Sequence, residues 1–180
     1  QKVVSQHIIQ TPVAYSKVLS EVVGEQIFIK LENQQITGSF KIRGAINAIS
    51  NLTSEQKKAG VVALSTGNHG RGLAYAAKLM KIKCIICMSE FVPQNKIDGI
   101  KALGAEVRLI GANQDEAQLE ADRLSIEEGM TYVSPFDNVD VIAGQGTLGL
   151  EIYQQIPEIN FAFVPLSGGG LICGVAKALK

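Results

Sequence analysis

Three stretches of this chain carry residue types that can do chemistry. The first is Gly38-Ser39-Phe40-Lys41-Ile42-Arg43-Gly44-Ala45, where Lys41 falls in the first turn of a helical pattern. A helix N-terminus carries partial positive charge, so a lysine there is electrostatically misplaced and gives up its proton more readily than usual. An amine that is neutral near pH 7 is a nucleophile, suited to Schiff-base formation with a carbonyl group. Position alone does not separate this reading from a solvated surface lysine in a chain of thirteen lysines, so the neighbouring signals decide.

The second stretch, Ser65-Thr66-Gly67-Asn68-His69-Gly70, runs from a β-rich segment into a helix with the stripe Leu73, Ala76, Ala77 and Met80. Backbone N–H groups at a helix start, with the Ser65 and Thr66 hydroxyls, suit a carboxylate or phosphate. Asn68 either caps the helix or donates to a ligand oxygen, and His69 is either a ligand contact or a surface histidine. The third stretch, Leu166-Ser167-Gly168-Gly169-Gly170-Leu171, also leads into a helix. Successive glycines present backbone amides as an anion-binding nest, so it reads as a phosphate cradle. No Gly-Lys-Ser/Thr follows, which excludes a Walker loop.

Two other patterns mislead. Gly144-Gln145-Gly146-Thr147-Leu148-Gly149 fits the dinucleotide fingerprint, but only a weak strand, residues 140–143, precedes it, and the following strand ends without an acidic residue for a ribose hydroxyl. Helix packing or backbone beside a cofactor suits it better. Cys84 and Cys87 have a metal-knuckle spacing inside a buried-strand pattern, where residues three apart point to opposite faces and cannot share a metal. Neither His7 nor His69 has a metal-ligand partner at helical spacing, so no metal site is expected.

These residues must be positioned by a globular frame. The 180 residues are 46% hydrophobic, with mean hydropathy +0.16, and seventeen basic side chains balance seventeen acidic ones. That balance, with no long basic run, points to small-molecule substrates and away from nucleic acid or anionic membrane; a homodimer or higher homo-oligomer is expected. No apolar run nears the roughly 20 residues of a membrane span, and three irregularly spaced cysteines fit a reducing compartment, so the expected location is the cytoplasm. Strands are expected at residues 26–31, 61–65, 83–88, 106–110, 131–133 and 161–164, with helical patterns between them. Thr53 with Gln56 reads as a capping box, Pro93 as a helix start, and Gly104 and Pro157 as stops. Strand-helix alternation implies parallel strands, hence an open, doubly wound α/β architecture whose ligands sit at the carboxyl ends of strands. The opening Gln1 and the closing Lys180, part-way into a helix, suggest a fragment of a longer chain truncated at its C-terminus.

A first-turn lysine, a carboxylate loop and a phosphate cradle are together what a pyridoxal 5'-phosphate (PLP) site requires. In this order they resemble the threonine and serine dehydratases of the fold type II, tryptophan synthase β-like PLP enzymes, which include serine racemase. The matching strings are Thr11-Pro12, Lys30-Leu31-Glu32-Asn33, the segment 37–45 around Lys41, Ser65 to Gly70, Asp140 to Thr147 and Val164 to Leu171. The resemblance implies a large PLP-binding domain from residues 1–48 and 140–180, with a smaller inserted α/β domain at 49–139. It implies that Lys41 holds the cofactor and shuttles the α-proton, Phe40 packs beside the ring, and Asn68 bonds its 3'-oxygen. Ser167, Gly168, Gly169, Gly170 and Leu171 would cradle the phosphate; Ser65, Thr66 and His69 would hold the substrate carboxylate. The implied reaction is dehydration and deamination of L-threonine or L-serine to a 2-oxo acid and ammonia. Ser167 stands where relatives usually have a first glycine, and with the flanking strings it most resembles the dehydratases attached to hydroxyectoine utilisation. Thr66 stands where serine racemases carry a serine, which favours elimination over racemisation. Serine racemase or another β-elimination enzyme of this fold is the near alternative, and a non-catalytic cofactor- or ligand-binding fragment the distant one.

Overall fold

The alternating runs resolve, in a computed structural model that describes residues 2–180, into two separate sheets. Strand β1 (Val13–Tyr15) pairs antiparallel with β2 (Phe28–Lys30); helix α1 (Lys2–Ser5) precedes them and α2 (Lys17–Val23) joins them. Helices α3 (Lys41–Ser50) and α4 (Ser54–Ala59) then lead to a parallel sheet of β3 (Val61–Leu64), β4 (Cys84–Met88), β5 (Glu106–Leu109) and β6 (Thr131–Tyr132). Its connections are α5 (Asn68–Leu79), α6 (Gln94–Lys101) and α7 (Gln114–Glu127), and the chain continues through α8 (Val139–Gln155) and α9 (Gly170–Leu179). Strand order is β5-β4-β3-β6. The chain thus winds outward from β3 to β5 and returns to the other side of β3, and such a switch leaves a crevice at the strands' carboxyl ends.

Alternation along the parallel strands explains the core. Val61, Ala63, Cys84, Ile86 and Met88 meet α3 and α5 on one face, while Val62, Ile85 and Cys87 meet Ala121 and Leu124 of α7 on the other. Cys84 and Cys87 therefore lie on opposite faces, as the period of two requires. Burial pushes their thiols up to about 12 and about 11, so neither is a thiolate at neutral pH. The local punctuation is also as expected. Thr53 and Gln56 form a reciprocal capping box on α4, Pro93 is the N-cap residue of α6, Gly104 takes a left-handed φ of 89° beyond its end, and Pro157 follows α8.

Three expectations need correction. Residues 161–164 form no ladder; Phe161 and Phe163 are 83% and 93% exposed. Their β-propensity expresses a fit to neighbouring strands, and no strand lies alongside to take their backbone groups. Residues 140–143 belong to helix α8 and not to a strand, because Asn138 caps the N–H groups of Asp140 and Val141. Finally, β2 joins an antiparallel pair with β1, a strand of three residues and too short for its alternation to be seen.

The dinucleotide-like glycines lie inside α8. A Cβ at Gly144 would sit 2.6 Å from the Arg43 carbonyl on α3, while one at Gly146 would sit 3.1 Å from the Gly174 carbonyl on α9 and one at Gly149 2.9 Å from that of Val175. The fingerprint is therefore a helix-packing device that lets α8 press against α3 and α9 together.

Candidate active site

Lys41 is the first residue of α3, with Phe40 at the N-cap position. Its amine is half-buried and donates to the Pro135 carbonyl at 2.7 Å, with the Phe40 ring centroid 5.4 Å away. Burial pushes the lysine below its ordinary pKa, because desolvation disfavours the ammonium. The helix start marks the position of this lysine, and loss of solvent is the cause of the shift.

The loop after β3 is shaped by Ser65, whose hydroxyl oxygen accepts from the Gly67 and Gly70 N–H groups at 3.3 and 2.8 Å. Gly67 is the N-cap residue and makes no side-chain cap bond. Asn68 is thus not the cap: it is the exposed first residue of α5, which leaves the ligand-donor alternative. Ser65 retains its O–H as a donor, and Thr66 lies half-buried next to it. His69 is 4% exposed, so the surface-histidine reading fails. Its Nε2 lies 2.8 Å from the Val133 carbonyl and must carry the proton, which leaves Nδ1 bare and without a partner. Burial, reinforced by the nearby Lys41 charge, lowers its pKa to about 4 against the opposing pull of the Val133 bond. Holding a carboxylate through the His69 ring would require a proton on the second nitrogen, which burial opposes, whereas its backbone N–H in the first turn of α5 stays available. The better donors are the Ser65 and Thr66 hydroxyls and the N–H groups at the start of α5.

In the glycine loop, Ser167 and Gly168 are exposed, Gly169 is the N-cap residue of α9 with φ 87°, Gly170 is buried and Leu171 half-buried. The first N–H groups of α9 have no intrahelical acceptor and carry the favourable dipole for an anion. A Cβ at Gly168 would collide with the Phe136 ring, and one at Gly170 would come within 2.9 Å of the Phe136 Cα. These glycines are therefore needed for close packing as well as for open amides.

The expected residues converge through one segment. Residues 133–136 leave the carboxyl end of β6, next to β3, and touch His69 through Val133, Lys41 through Pro135 and the glycine loop through Phe136. The site lies at the switch point between β3 and β6. Sequence reading missed this segment because it holds no titratable side chain and its one hydroxyl, Ser134, has no base beside it in the sequence; its one signal was its place at a strand's carboxyl end. Four residues before Lys41, the buried Thr37 hydroxyl has no partner. Phe40 and Leu171 additionally line a cavity of about 550 Å³, otherwise mostly apolar, to which Lys41, Asn68 and His69 do not contribute.

A family model described as pyridoxal-phosphate dependent enzyme matches residues 4–180. The chain belongs to this family. Among relatives of this PLP-dependent chain, the L-threonine ammonia-lyase of Thermotoga maritima is 48% identical over 180 residues, covering 100% of this chain and 45% of that protein. The processed form of threonine deaminase isoform 2 from Solanum lycopersicum superposes with a TM-score of 0.94 at 43% identity, covering 97% of this chain and 48% of that one. Maize serine racemase gives 0.95 at 39% identity, covering 99% and 54%. The fold is that of the fold type II PLP enzymes. The chain spans about half the length of the curated relatives it matches. The residues present fit the cofactor: a desolvated amine for its aldehyde and free amides at the glycine loop for its phosphate.

Proposed function

We propose that this chain carries the lysine-bearing part of a PLP-dependent ammonia-lyase that converts L-threonine or L-serine to a 2-oxo acid and ammonia. The observation that carries the reading is the partly desolvated Lys41 amine, held by a neutral carbonyl within one residue of the segment that packs on the glycine loop. The relatives named as threonine ammonia-lyase and threonine deaminase supply the substrate class. Bound at Lys41, the cofactor supplies an electron sink for the charge left when the substrate loses its α-proton. Once the substrate amine has displaced it from the cofactor, the freed Lys41 amine would be the base that takes that proton. Ser65, Thr66 and the first amides of α5 hold the carboxylate, with His69 fixing that turn against Val133. Phe40 would pack beside the ring and Asn68 would donate to its oxygen. Ser167, Gly168, Gly169, Gly170 and Leu171 would hold the phosphate.

In this reading residues 49–139 form the smaller domain, supported by the parallel sheet lying within that span, and residues 1–48 with 140–180 belong to the larger one. Among the described residues no helix is long and apolar enough to cross a membrane. We place the enzyme in the cytoplasm as a homodimer or higher homo-oligomer, for which sedimentation measurements are the check.

The test is to add PLP to the intact protein, record the absorption band of the lysine-bound cofactor, and assay 2-oxo acid from L-threonine and L-serine. Both signals should vanish in Lys41→Ala. No band, or a band indifferent to that substitution, overturns the assignment, and D-serine as dominant product would favour the racemase.

A further inference from the structure

Val133, Pro135 and Phe136 contact all three parts of the site although none carries a reactive side chain. We propose that residues 133–136 position the cofactor site: the Pro135 carbonyl holds the free Lys41 amine, and the Phe136 ring sets the glycine loop relative to it. This rests on the reading of Lys41 and residues 167–171 as a PLP site.

A carbonyl oxygen can only accept, so it takes one N–H of the amine. A neutral lysine held this way keeps its lone pair and its second N–H free. A carboxylate in the same place would favour the charged form and suppress the nucleophile. Pro135 O therefore orients the amine without protonating it or pairing its charge.

The segment is itself held from both sides. His69 donates to Val133 O at 2.8 Å, and the Ser134 hydroxyl accepts from the Asp137 N–H at 3.0 Å. Asn138 caps α8 immediately afterwards. The pyrrolidine ring locks φ at Pro135, which removes one of the two soft torsions next to the carbonyl that meets Lys41. On the other side, the Phe136 ring fills the space where Gly168 would carry a Cβ, and its Cα closes the corresponding space at Gly170. The lysine amine and the phosphate loop are thus spaced by a single residue step along a stiff segment. The aldehyde end of the cofactor depends on one half of the segment and the phosphate end on the other.

The test compares PLP with pyridoxal, which shares the aldehyde and lacks the phosphate. Dissociation constants for both are measured by absorption titration of the intact protein in wild-type, Phe136→Ala and Phe136→Leu forms. Phe136 is 43% exposed, so truncation does not remove a core side chain. With the glycine loop no longer set by the ring, the preference for PLP over pyridoxal should fall by about tenfold in Phe136→Ala and by about threefold in Phe136→Leu, because loss of preorganisation acts only on the phosphate contacts. An unchanged preference in Phe136→Ala overturns the proposal, as does equal weakening of both aldehydes, which is the pattern of a merely structural loss. If Phe136→Ala does not fold, the Phe136→Leu ratio decides by the same criterion. Wild-type protein that binds neither aldehyde would instead overturn the underlying cofactor reading.

Discussion

Two cationic side chains on α3, Lys41 and Arg43, stand two residues apart and live in opposite electrostatic worlds. Arg43 is fully buried, yet it bonds both Glu32 oxygens at 2.8 Å, both Glu151 oxygens at 2.7 and 2.8 Å, and the Thr147 hydroxyl at 3.2 Å. Lys30 adds a second cation at 2.7 Å from Glu151, and Thr11 donates to Glu32 at 2.5 Å. Two cations thus face two anions, and the donors and acceptors are matched. Burial alone would disfavour the guanidinium charge, but the bonds to Glu32 and Glu151 outweigh it and hold Arg43 above its ordinary pKa. Lys41 is only half-buried and meets a neutral carbonyl, and its pKa falls. Partner supply, more than depth, separates a cation that ties the turn after β2, α3 and α8 together from one that can give up its proton.

Breaking the matched side should have the largest effect. Arg43→Met leaves the buried Glu32 with no cation and Glu151 with Lys30 alone, and urea unfolding should show a loss of roughly 3–5 kcal/mol. Adding Glu32→Gln and Glu151→Gln to that variant should recover part of the loss; an additive further loss would mean that the network is not a unit. His69 gives the pH test. Its folded pKa of about 4 lies below its ordinary 6.5, so the unfolded chain binds the extra proton between those values. Its contribution, about 3 kcal/mol, is complete above pH 6.5 and disappears as the pH falls toward 4. His69→Gln should flatten the melting temperature across that window. Gly144→Ala sets a methyl against the Arg43 carbonyl and should lower stability by about 1–3 kcal/mol, read in the same unfolding assay, by forcing α8 off α3. The smallest effect sharpens the contrast most. Lys41→Met removes an unpaired amine from a partly desolvated place, so stability should change by no more than about 1 kcal/mol or rise, while the cofactor absorption band disappears. A loss comparable to that of Arg43→Met would erase the distinction between the two cations.

The contrast was half legible in the sequence. Lys41 announced itself because a helix start is an unusual place for a cation, Ser65 followed from the turn between β3 and α5, and Gly168 and Gly170 from the start of α9. The partners of Arg43 lie 11, 104 and 108 residues away, a separation that no local pattern encodes. The Asn68 cap failed because the helix starts one residue earlier and Ser65 takes the Gly70 N–H from outside it. The strand at residues 161–164 failed because propensity describes a surface that needs a neighbour. Phe136 stayed hidden because a lone aromatic in a loop carries no periodicity; only its contact with Gly168 reveals its use.

The switch between β3 and β6 has a consequence for the order in which this molecule is built. β6 contributes two residues and registers on β3 only at Val61 with Thr131 and Val62 with Tyr132. The His69 bond to Val133 closes a separation of 64 residues and forms only when that short strand has docked. Val61 and Thr131 lie 70 residues apart, and pairings of such separation carry the larger loop-closure cost, so β3-β6 is expected to close after β3-β4-β5. The residues proposed to hold the cofactor would then come together on the least extensive ladder of the parallel sheet. A ligand gripping Lys41 and the glycine loop would act as a staple on that ladder, and amide protons of residues 131–133 should exchange more slowly once it is bound.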